Sequence, residues 1–112
     1  MANLSNIKIK HFNKEISSII ISESKTYNAL SFKNLNDLIK AFIKLDSNKD
    51  TKVIIIEGAG KGFSAGHNLK EVSGLKKKAK YQKLFSLCSK LMLQIVEGKK
   101  PVIAKVHGAA FA

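Results

Sequence analysis

The sequence predicts an α/β fold with parallel strands. Two observations carry that prediction: short runs of β-branched residues alternate with long amphipathic stretches in the order ββαβαβ, and no second hydrophobic block supports another domain. At 112 residues with 45% apolar content, one modest core is within reach. A chain of this size gains little burial beyond its conformational entropy, so it is expected to be marginal without partners.

The first element is a hairpin. Ile7 to Phe12 and Ile16 to Ser22 are β-rich segments separated by the polar turn Asn13-Lys14-Glu15. Ser31 then offers a hydroxyl to cap a helix over residues 32 to 45, where Phe32, Leu35, Leu38, Ile39, Phe42 and Ile43 recur at three- and four-residue steps. Ser47 to Asp50 breaks that helix. Lys52 to Glu57 follows, a β-branched run with apolar character on both faces, which predicts a buried strand parallel to a neighbour. After a glycine-rich connection, a second amphipathic helix is expected from about Lys77 to Val96. Its stripe is Tyr81, Leu84, Phe85, Cys88, Leu91, Met92 and Ile95, all expected in the core. Pro101 ends this helical region, and Val102 to Val106 forms the last strand before His107-Gly108.

Composition limits the function classes. The net charge is +12, and every one of the 20 basic residues is Lys. Nucleic-acid recognition relies heavily on the bidentate arginine fork and on aromatic stacking, so a nucleic-acid partner is not expected. A solvated lysine surface explains the charge, and the same charge would attract the phosphates of a nucleotide-like ligand. Cys88 is the only cysteine, which excludes an intrachain disulfide and suits a reducing compartment. Residues 1 to 5 carry no secretory or transit pattern, and no apolar run approaches membrane-spanning length. A soluble intracellular protein with no membrane partner is expected, cytoplasmic or, in a eukaryote, in the mitochondrial matrix.

The segment Glu57-Gly58-Ala59-Gly60-Lys61-Gly62-Phe63-Ser64-Ala65-Gly66-His67-Asn68-Leu69-Lys70 leaves a strand and invites two phosphate-binding motifs. Neither fits. A P-loop needs Ser or Thr after its Lys, and Gly62 stands after Lys61; a dinucleotide fingerprint begun at Gly58 and Gly60 needs a small residue at 63, which is Phe63. The glycines still allow close approach to main-chain N–H groups, so a backbone-donor site and a plain strand-to-helix loop both remain open.

Three signatures, taken together, resemble the enoyl-CoA hydratase/isomerase (crotonase) family. They are Asn28-Ala29-Leu30-Ser31 at the first helix start, VIIIEGAGKGFSAGHNLKEV, and Lys100-Pro101-Val102-Ile103-Ala104-Lys105-Val106-His107-Gly108. They span residues 28 to 108. The pair Gly66-His67 with Leu69-Lys70-Glu71, and the run LCSKLMLQI, point to one branch of that family.

The resemblance implies the N-terminal part of a crotonase-like ββα spiral, a partial domain over residues 1 to 112, acting on acyl-CoA thioesters. Hydration or double-bond isomerisation of enoyl-CoA would proceed through an oxyanion hole, in which fixed backbone donors stabilise an enolate-like state; each such donor is worth about 3 to 4 kcal/mol. Mapped by motif, the N–H of His67 is the first donor. Ala65, Gly66, Asn68, Leu69 and Lys70 line the acyl-CoA channel, and Lys25, Tyr27 and Ala29 lie where the family meets the nucleotide end of CoA. No cofactor beyond the CoA moiety and no metal is implied.

Two departures weaken any assignment of a specific reaction. Asn68 stands where Asp is common, and Tyr27 where Arg or Lys is common. The second oxyanion donor is expected just past Ala112, with the catalytic acids and the region that assembles family trimers or hexamers farther on. The resemblance therefore also admits a non-catalytic truncated or split-gene product that associates with another chain.

Overall fold

The structure, a computed structural model, describes residues 6–22, 31–60, 63–64 and 78–107. Four strands and two helices follow the expected order: β1 (Ile7–His11), β2 (Ile16–Ile21), α1 (Phe32–Asp46), β3 (Val53–Gly58), α2 (Lys78–Glu97) and β4 (Val102–Lys105). The strands form one sheet in the order β1-β2-β3-β4. β1 pairs antiparallel with β2, whereas β2, β3 and β4 run parallel to one another. The hairpin and the two helical crossovers are thus those the sequence pattern demands.

Turn chemistry fixes the elements locally. The Asn13 side-chain carbonyl accepts from the N–H groups of Glu15 and Ile16, both at 2.8 Å, which closes the hairpin turn. Asn48 does the same after α1, accepting from Asp50 N–H at 2.9 Å and Thr51 N–H at 3.0 Å. Ser31 caps α1 with its side chain, accepting from Asn34 N–H at 3.0 Å. At the other end Lys100 Nζ donates to the carbonyls of Leu45 and Asn48, and Asp46 Oδ1 accepts from Lys99 N–H at 2.8 Å. These bonds tie the segment after α2 to the end of α1. Ile54 N–H then donates to the Pro101 carbonyl at 3.1 Å, setting β4 beside β3.

The period-two alternation of the strands sends Ile7, Ile9, Ile19, Ile21, Ile54, Ile56 and Val102 to one face, where they meet the helices. α1 lies between the sheet and α2, burying Leu35, Leu38, Ile39, Ala41, Phe42 and Leu45. Complete burial of one such side chain contributes about 1.5 to 3 kcal/mol.

Two expectations need correction. α2 does not bury its whole stripe: Leu84 and Leu91 are core and Cys88 and Ile95 pack against it, but Phe85 is 65% and Met92 53% exposed. Those two, with Val96 at 80%, form a second stripe displaced by one residue, about 100° around the helix. α1 covers only the first stripe. The Tyr81 side chain lies outside the described residues. β3 is buried less completely than expected: Ile54 is buried, whereas Val53, Ile55 and Ile56 are half-buried, and of these only Ile56 packs against the core.

Candidate functional site

Parallel strands align their carboxyl ends, and in open α/β sheets ligands gather at that edge. Here the carboxyl ends of β2, β3 and β4 lead to Ser22, to Ala59-Gly60 and to Val106-His107. Ala59 N–H donates to the Ile21 carbonyl at 2.8 Å, carrying the β2–β3 pairing one residue past the ladder's last rung, Ile21 with Gly58. Gly60 takes φ 85°, a left-handed conformation that costs a side-chain-bearing residue energy and that glycine adopts readily. The chain turns there.

β4 joins this edge through its own side chains. Glu57 and Lys105 face each other in the register and form a surface ion pair at 3.9 Å, which contributes little. Two residues on, His107 Nε2 lies 2.8 Å from the Gly60 carbonyl oxygen. A carbonyl only accepts, so Nε2 carries the proton and donates. Both the Nε2–H tautomer and the imidazolium meet that requirement. Ser64, just beyond the turn, is buried at 4% exposure in a short bridge.

Every expected site residue lies outside the described residues: Lys25, Tyr27 and Ala29 in the stretch after Ser22, and Ala65, Gly66, His67, Asn68, Leu69 and Lys70 in the stretch after Ser64. The described residues fix the points from which those stretches depart. Ser22, Gly60 and His107 lie one or two residues past the carboxyl ends of the three parallel strands, at one edge of the sheet. The His107 to Gly60 hydrogen bond was not anticipated, because its partners are 47 positions apart and neither periodicity nor motif spacing connects them.

The enoyl-CoA hydratase/isomerase family model matches residues 11–112. This chain belongs to that family. Human enoyl-CoA hydratase domain-containing protein 3, mitochondrial, is 39% identical over 97 residues, covering 87% of this chain and 32% of that protein. The rat protein of the same name is 36% identical with the same coverage. Among solved structures, that of the human protein superposes with a TM-score of 0.85 at 34% identity, covering 92% of this chain and 40% of the other. An enoyl-CoA hydratase from Mycobacterium smegmatis gives 0.87 at 32% identity, with coverages of 92% and 40%. The chain therefore spans about a third of the length of the curated relatives it matches, and it corresponds to the N-terminal portion of a crotonase fold.

Proposed function

We propose that this chain supplies the CoA-thioester-binding, carbonyl-polarising part of a crotonase-type site, with the His67 N–H as one oxyanion donor. The observation that supports it is the shared edge just described: the chain leaves the carboxyl ends of the adjacent parallel strands β2 and β3 toward the two stretches that hold the candidate residues, and such an edge is where open α/β sheets gather ligands. Lys25, Tyr27 and Ala29 would contact the nucleotide end of CoA, and Ala65, Gly66, Asn68, Leu69 and Lys70 the pantetheine and acyl portion. No cofactor beyond the CoA moiety enters. The human relative is named as mitochondrial, which favours that organelle over the cytoplasm for this chain.

Hydration or isomerisation requires a second donor and a proton-transferring acid beside the first, because only stabilisation greater in the transition state than in the ground state speeds a reaction. The 112-residue chain is therefore expected to bind butyryl-CoA, a thioester that cannot react by hydration, and to leave crotonyl-CoA unchanged. Calorimetric titration with butyryl-CoA and loss of the enoyl absorbance of crotonyl-CoA measure the two. Turnover by the isolated chain would sink the division of labour, and absence of butyryl-CoA binding would sink the site.

The exposed apolar residues Phe85, Met92, Leu93 and Val96 of α2 favour a second, compatible reading, that another stretch of polypeptide covers this side of the helix. Whether that stretch is joined to this chain or separate, the purified chain is expected to self-associate in sedimentation velocity; a well-behaved monomer at high concentration would count against it.

A further inference from the structure

We infer that His11 is a pH-sensitive latch at the amino edge of the sheet, closed by the neutral imidazole and opened by the imidazolium. The inference is independent of the proposed function, which concerns the opposite edge. His11 ends β1 and faces Ser17 of β2 across the register. Its Nδ1 lies 2.8 Å from Ser17 Oγ, which in turn lies 3.5 Å from Thr51 Oγ1 in the loop before β3. The imidazole is exposed, whereas Ser17 is fully buried and Thr51 is 1% exposed, so solvent does not reach the two hydroxyls. Among the described residues neither hydroxyl has another hydrogen-bond partner.

Proton counting gives these bonds a direction. Two contacts hold two protons. With Nδ1 bare, Thr51 O–H donates to Ser17 Oγ and Ser17 O–H donates to Nδ1, so both buried donors are satisfied. A proton on Nδ1, in the imidazolium or in the other neutral tautomer, makes three donors for two contacts. Either one hydroxyl is then buried without an acceptor, or the exposed ring swings away and the Ser17 bond is lost. The second route limits the penalty to about one hydrogen bond. Main-chain bonds hold the hairpin in both states, from Phe12 N–H to the Ile16 carbonyl at 2.9 Å and from Val53 N–H to the Glu15 carbonyl at 3.1 Å. The latch therefore adjusts stability without undoing the edge. Its contribution is present while His11 is neutral and is lost as acid protonates the ring.

Charged groups on the elements that meet here are Lys10 of β1, Lys14 and Glu15 of the turn, Lys44 in the last turn of α1, and Lys49, Asp50 and Lys52 of the loop before β3; β2 has none. All are exposed, and Lys14 pairs with Asp50 at 3.9 Å. Lysine repulsion of an imidazolium would act in the same direction as the hydroxyls, and the test separates the two.

Urea unfolding at about pH 8 and about pH 5, the two sides of the range in which imidazoles titrate, compares the chain with its His11→Gln and Ser17→Ala variants, each checked for folding by far-UV circular dichroism. On acidification the chain should lose about 3- to 10-fold more of its folding constant than His11→Gln loses, in keeping with one hydrogen bond. Ser17→Ala keeps His11 and every charge, and it should match His11→Gln. Other titrating groups, His67 and His107 included, are common to all three and cancel. Nitrogen–proton correlation spectra of the chain at the higher pH should place the His11 proton on Nε2. Equal acid sensitivity in the chain and His11→Gln would overturn the latch, as would a proton on Nδ1 or the full effect surviving in Ser17→Ala. Should Ser17→Ala fail to fold, salt decides: at about 1 M, where screening reaches within about 3 Å, an effect of the buried hydroxyls persists, and its disappearance would assign it to the lysines and end the inference.

Discussion

The two helices of this chain share a pattern and differ in fate. α1 presents one apolar face and buries most of it, leaving Ile43 47% exposed; it is held between the sheet and α2 and capped at both ends by Ser31 and Ser47. α2 is longer and carries two adjacent apolar stripes, of which only the one through Leu84 and Leu91 meets α1. An apolar position in a helix records that something covers it and does not record what. For α1 the cover lies within these 112 residues; for Phe85, Met92 and Val96 none is found among the described residues.

Substitutions sharpen this contrast. The largest effect is expected at Phe42, 2% exposed and among the largest fully buried side chains. Phe42→Ala should cost about 3 to 5 kcal/mol in a urea unfolding series, a large share of the stability of a small domain. Leu91→Ala should cost about 2 to 4 kcal/mol, because its stripe is the one α1 covers. Phe85→Ala, a larger truncation than Leu91→Ala, should stay within about 0.5 kcal/mol in the same experiment. A loss at Phe85 equal to that at Leu91 would show that the second stripe is covered in the folded chain, and the contrast between the helices would disappear.

A smaller effect is expected at the start of α1. Removing the Ser31 hydroxyl deprives the Asn34 N–H of its acceptor, so Ser31→Ala should cost about 1 kcal/mol. Thermal unfolding followed by circular dichroism measures it. The smallest effect concerns Cys88, half-buried on the covered stripe of α2, whose thiol is pushed above its ordinary range by desolvation. Burial disfavours the thiolate in the folded state only. The contribution of Cys88 to stability is therefore fully present below the ordinary thiol pKa and is lost as pH rises through the higher folded value. Slow alkylation by iodoacetamide at neutral pH, accelerating on unfolding, is the matching observation.

Much of the fold was legible before the structure. The Asn13-Lys14-Glu15 turn, the Ser31 cap and the Ser47 stop have local causes, so single residues announce them. The ββαβαβ order follows from periods of two and 3.6, and a β-α-β succession dictates parallel neighbours. What the pattern lacked was sidedness. Val53 and Ile55 match Ile54 and Ile56 in hydrophobicity, yet only the latter pair faces the helices, and Met92 cannot be told from Leu91 by composition. For the site, motifs located the family and the segments, whereas the side-chain bond from His107 to Gly60 exists only because the strand order sets β4 beside β3. His67 and the other expected site residues lie outside the described residues.

The sheet also has a direction of growth. On one flank β1 folds back against β2 and bristles with Lys8 and Lys10, whose charge discourages any newcomer from hydrogen-bonding there. The opposite flank is β4, four residues long, paired only with β3 among the described residues and bordered by exposed Ile103 and Val106. A polypeptide seeking to extend this β-structure will find its template at β4. Folding partners and amyloid-like misassembly would therefore compete for the same row of main-chain groups, and a lysine placed at Ile103 is the change that would bias the contest against both.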